Sequence, residues 1–155
     1  MWHILLGQEC VGLTDELNQR FHLHEWQGLT VAFNKDTFNG DTQFIPIQYQ
    51  HGPCQRTVVL IGIAQLRRPI GGLTNFTAAS VHLHHDPAKS NTKALRTLRD
   101  IRRDLEQWDV SIVGADLNGA CYNGPVEEIF HEFHTPEVPH RALWGPSALP
   151  LDQQD

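Results

Sequence analysis

A mixed α/β domain is predicted for this 155-residue chain by three consecutive features. An apolar run over residues 76–85 ends in histidines. Helical periodicity occupies residues 90–108. A second apolar run, 110–118, leads straight into Asp116 and Asn118. A strand, a crossover helix and another strand imply parallel neighbours joined by a right-handed connection. Both strands then finish at the same sheet edge, where open α/β sheets bind ligands. His82 is therefore expected to face Asp116 and Asn118 across a shallow site.

The remaining elements follow from local pattern. Residues 2–8 read as a buried strand. Residues 14–22 read as a short helix, with Thr14 as its N-cap and Asp15 and Glu16 favourable in its first turn. Leu29–Asn34 and residues 42–49 read as strands around Asn39-Gly40, a dipeptide suited to a tight turn. Residues 57–66 and 74–84 read as antiparallel neighbours, joined by a loop containing Arg67, Arg68, Pro69 and Gly71-Gly72. In the crossover helix, Leu95, Leu98, Ile101, Leu105 and Trp108 form one apolar stripe. Its arginines alternate with acids and read as a solvated face, with i,i+4 pairs Arg96–Asp100 and Arg102–Glu106. Residues 126–133 read as a helix and 135–155 as an irregular, proline-rich tail.

Composition sets bounds on function. The length fits a single domain with a real core, and 40% hydrophobic with 19% charged residues is ordinary for a folded chain. A net charge of −6 argues against a generally basic nucleic-acid wrapper, but not against a nuclease that handles phosphate with a bound cation. Cys10, Cys54 and Cys121 are odd in number and widely spaced, which suits reduced thiols rather than a disulfide framework. The apolar start is too short to span a bilayer and lacks the marks of a signal peptide, which favours an intracellular setting.

Three short segments carry a resemblance. Thr77-Ala78-Ala79-Ser80-Val81-His82-Leu83 resembles the strand ending in His-Leu of the endonuclease/exonuclease/phosphatase superfamily, which includes deoxyribonuclease I. Ile112-Val113-Gly114-Ala115-Asp116-Leu117-Asn118 is similar to its Gly-Asp-Phe-Asn strand end, with Leu for Phe and an extra Ala. His3-Ile4-Leu5-Leu6-Gly7-Gln8-Glu9 resembles its strand followed by Leu-Gln-Glu, with Gly7 for Leu. The three stand in the family's order. The family's earlier strand ending in Asn and its closing Ser-Asp-His motif have no counterpart in these residues. The resemblance therefore implies part of a four-layer α/β sandwich of the deoxyribonuclease-I-like type, with mixed sheets flanked by helices.

By the same resemblance, the chemistry is metal-dependent phosphodiester hydrolysis, most simply of nucleic acid. Glu9 would hold Mg²⁺ or Mn²⁺, since hard cations take carboxylate oxygens and retain several waters. Asp116 would orient or deprotonate the attacking water. Asn118 would donate its amide to phosphoryl oxygens, and His82 would contact phosphate or protonate the leaving oxygen. His84 would form a polar rim on the substrate side. With two family motifs lacking, cleavage by these residues alone is expected to be slow or absent.

Other readings stand beside it. A phosphatase acting on a small phosphoester would use the same residues. His82 and His84 share one strand face and would suit a zinc-dependent hydrolase, as would Glu127, His131 and His134 on one helix face. A degenerate copy would persist as a non-catalytic binding module. Because retroelements carry such endonucleases, a reverse transcriptase in the same polyprotein is a further implied partner.

Overall fold

A computed structural model of the chain describes residues 3–9, 12, 15–50, 56–83 and 91–116. In chain order, the described elements are β1 (Ile4–Gly7), α1 (Asp15–Arg20), β2 (Phe21–Trp26), β3 (Leu29–Asn34), β4 (Phe38–Gln50), β5 (Arg56–Ile70), β6 (Leu73–His82), α2 (Asn91–Gln107) and β7 (Ile112–Asp116). They make a mixed α/β arrangement of two sheets, ordered β1-β3-β2 and β4-β5-β6-β7. Every strand pair is antiparallel except β6 and β7, which run parallel across the α2 crossover.

Side-chain alternation explains why the two sheets stack. Leu29, Val31 and Phe33 of β3 meet Val58, Leu60 and Ala64 of β5 in one apolar cluster. The alternate residues of β5 and β6, including Val59, Ile61, Ala79 and Val81, pack against Leu98, Ile101 and Leu105 of α2. β5 therefore reads as a nearly continuous apolar run because both of its faces are covered. Burying each of the three helix side chains stabilises the fold by about 1.5–3 kcal/mol. Gly62 leaves no room for a side chain between the sheets: an added Cβ would lie 2.6 Å from Val31 Cγ1 and 2.7 Å from Phe33 Cε2.

α2 has the apolar stripe that periodicity predicts, with Leu98, Ile101 and Leu105 each 1% exposed; the Leu95 side chain lies outside the described residues. Its end is a Schellman motif. Asp109 has φ +49°, its N–H donates to Glu106 C=O at 3.0 Å, and the Val110 N–H donates to Leu105 C=O at 3.0 Å. On its outer side Arg102 pairs with Glu106 at 2.6 Å, as the spacing predicts, while Asp100 lies 3.4 Å from Arg103.

Three expectations need correction. The helix expected over 14–22 ends at Arg20, and Phe21 and His22 open β2, a strand the pattern did not predict. Pairing with β3 decides this, because a six-residue helix is too short to hold against a sheet ladder. Asn39-Gly40 is not the turn. The chain turns at Lys35–Thr37, where Asn34 Oδ1 accepts from the Asp36 N–H at 2.8 Å. It then passes to the other sheet, leaving Asn39 and Gly40 inside β4 at a register shift. Arg67, Arg68 and Pro69 belong to β5 rather than to a loop. The hairpin closes on Gly71 and Gly72 alone, whose φ values of +58° and +88° suit a type I′ turn.

Candidate active site

β6 carries Ala78, Ser80 and His82 on the face toward the β1-β3-β2 sheet, while Ala79, Val81 and Leu83 turn toward α2. In the parallel ladder Ser80 pairs with Gly114 and His82 pairs with Asp116. Ladder partners share a face, and neighbouring strands run about 4.8 Å apart. His82 and Asp116 therefore end side by side at the carboxyl edge of both strands. The Leu83 N–H donates to the Asp116 C=O at 2.8 Å, extending the pairing past the last residue of β6.

Glu9 reaches this edge from the other sheet. β1 crosses over β6 and β7 so closely that a Cβ on Gly114 would lie 2.8 Å from Leu6 Cβ. Just beyond the strand, Glu9 has φ +54° and its Oε1 stands 4.0 Å from His82 Nε2. The Glu9 side chain is 74% exposed and that of His82 26%. A contact this open to water contributes little to stability.

His82 thus stands beside its ladder partner Asp116 and within 4.0 Å of Glu9. Asn118 and His84 lie outside the described residues, as do Glu127, His131 and His134 of the expected carboxy-terminal helix. Among the described residues, no group of three or more His, Cys, Asp or Glu side chains is arranged to hold a metal ion. The exposed Glu9 carboxylate suits a cation that keeps most of its own water, such as Mg²⁺ or Mn²⁺.

Sequence reasoning missed the contacts that carry Glu9 to this place. Ser80 Oγ donates to the Gly7 C=O at 2.7 Å, and Gln8 Nε2 donates to Ser80 Oγ at 2.9 Å. The available signal was a lone hydroxyl within the apolar run Ala78-Ala79-Ser80-Val81. A buried hydroxyl requires partners. No described helix is long and apolar enough to cross a membrane. Compared with known proteins, the chain matches no family model, no curated protein and no solved structure.

Proposed function

We propose that this chain hydrolyses phosphodiesters with the help of a hard divalent cation, and that its substrate is nucleic acid. The observation that supports this reading is the approach of Glu9, just past β1, to His82, whose ladder partner is Asp116. These residues come from the three segments that resemble the endonuclease/exonuclease/phosphatase superfamily. Two stacked sheets with α2 outside one of them also fit three of the four layers of a deoxyribonuclease-I-like sandwich.

In this reading Glu9 holds Mg²⁺ or Mn²⁺. The bound cation would supply charge stabilisation for the phosphoryl oxygens. Asp116 accepts a proton from, or orients, the attacking water, and His82 beside it contacts phosphate or protonates the leaving oxygen. Asn118 donates its amide to a phosphoryl oxygen, and His84 extends the substrate-binding rim. Residues 42–85 contain neither Asp nor Glu, although the chain has eighteen such residues. The hairpin that delivers His82 therefore offers no carboxylate repulsion to an approaching polyanion.

The test is plasmid nicking in Mg²⁺ at high protein concentration, read beside Mg²⁺-dependent binding of a labelled oligonucleotide. We expect slow nicking that falls at least about 100-fold in Asp116→Ala, the scale of a lost general base. Oligonucleotide binding should survive that change. Neither nicking nor Mg²⁺-dependent binding, or nicking unchanged in Asp116→Ala, would remove the reading.

A further inference from the structure

We propose that Ser80 and Gln8 are positioning residues, a clamp between the two sheets that sets Glu9 over His82. The inference rests on the proposed reading of this site for its chemical meaning, but the clamp itself rests on contacts.

The β1–β3 ladder ends at the pair Gly7–Thr30, so the sheet that carries β1 no longer pairs the chain at Gln8 and Glu9. The next holds come from the opposite sheet. Ser80 Oγ donates to the Gly7 C=O at 2.7 Å and accepts from Gln8 Nε2 at 2.9 Å. One hydroxyl thus uses its donor and an acceptor lone pair on consecutive residues of β1's exit. Ser80 is fully buried between apolar neighbours, where an unbonded hydroxyl would be costly.

Two glycines shape the space around the clamp. A Cβ on Gly114, the ladder partner of Ser80, would lie 2.8 Å from Leu6 Cβ and 3.3 Å from Gln8 Nε2. A side chain there would push β1 off β7. On the far side, a Cβ built on Gly28 would lie 3.7 Å from Glu9 Cα, so the β2–β3 turn backs Glu9 directly. Glu9 itself takes a left-handed backbone conformation rare for residues other than glycine. Its exposed carboxylate has a set origin although the side chain extends into solvent. A carboxylate whose backbone origin is fixed in advance loses less freedom when it binds a cation.

The experiment compares the full chain with Ser80→Ala, Ser80→Thr and Gln8→Met. One readout is the nuclear Overhauser contact between the Glu9 and Gly28 α-protons. The other is the Mn²⁺ concentration that broadens the His82 ring signals. We expect Ser80→Ala to lose the contact and to need about two- to tenfold more Mn²⁺, the cost of ordering one freed side chain on binding. Ser80→Thr, which keeps the hydroxyl, restores both. Should Ser80→Ala fail to fold, Gln8→Met gives the same two readouts with the Gly7 bond intact and is expected to weaken both. Loss of stability alone, with contact and Mn²⁺ response unchanged, overturns the clamp. So does absence of the Glu9–Gly28 contact in the unmodified chain. Absence of Mn²⁺ broadening in the unmodified chain, with that contact present, would count against the metal reading instead, and the proton contact would still decide the clamp.

Discussion

His82 Nε2 and Glu9 Oε1 stand 4.0 Å apart although they are delivered by strands of different sheets. One ends a strand paired on both sides, and the other follows a short strand at the edge of the facing sheet. Their separation is therefore a measure of how the sheets are stacked. Any change that slides one sheet over the other alters the site before it alters either sheet.

The stacking leaves no room for a side chain at Gly62. Gly62→Ala should destabilise the protein by about 1–3 kcal/mol, the cost of overpacking a full core. The added methyl would meet Val31 Cγ1 at 2.6 Å. Val31→Ala in the same chain should recover part of that loss. Urea midpoints of the two single variants and the double variant measure the coupling, which should be at least about 0.5 kcal/mol. Simple additivity would mean that the sheets are not in contact there.

On the other face of the same sheet, Tyr49 of β4 donates its hydroxyl to Asp104 of α2. Burial raises the Tyr49 pKa, and the bond to Asp104 and the charges of Asp104 and Asp100 raise it further. A phenol whose folded pKa lies above its unfolded value near 10 adds stability below that pH and loses it as pH rises further. Tyr49→Phe should cost about 1–3 kcal/mol at pH 8. The gap to the unmodified protein should narrow above pH 10. A gap that stays constant to pH 11 would show that Tyr49 does not titrate differently on folding.

Acid should loosen the β2 end of the sheet stack. Burial lowers the His22 pKa, and the positive charge of Lys35 lowers it further. Its Nε2 is buried without a hydrogen-bond partner. A histidine whose folded pKa is depressed leaves stability intact at neutral pH. That stability is lost as pH falls below the unfolded value near 6.5. His22→Gln should flatten the fall in stability between pH 7 and 5 seen by denaturant titration. An equally steep fall in the variant would place the acid sensitivity on other histidines.

The β5, β6, α2 and β7 elements were legible because each carries a clean pattern. Apolar runs marked β5 and β6, covered on two faces, and the more exposed β7, while Leu98, Ile101 and Leu105 marked the helix between β6 and β7. β2 was not legible. Phe21 and Leu23 alternate with His22 and His24, and histidine serves equally well on a helix surface or between sheets. His24 in fact stacks on Phe44, with ring centroids 5.0 Å apart. The passage from β3 to β4 was misread for a related reason. Periodicity identifies strands but not their partners, and a turn dipeptide such as Asn39-Gly40 does not show whether the chain folds back or changes sheet. In the site, the His82–Asp116 neighbourhood follows from the parallel ladder and was readable. The approach of Glu9 depends on packing between sheets, which local pattern does not encode; resemblance alone suggested it. Ser80 was overlooked because one hydroxyl in an apolar strand resembles an ordinary small residue until its partners are known.

Thermal unfolding in the presence of divalent cations reads out a hard-cation site on Glu9. A ligand that binds only the folded state raises the melting temperature. Mg²⁺ or Mn²⁺ at millimolar concentration should raise it in the unmodified protein, and Glu9→Gln should abolish the rise. A rise that persists undiminished in Glu9→Gln, or one produced by Zn²⁺ alone and lost in a His82→Ala/His84→Ala double variant, would contradict a hard-cation site on Glu9.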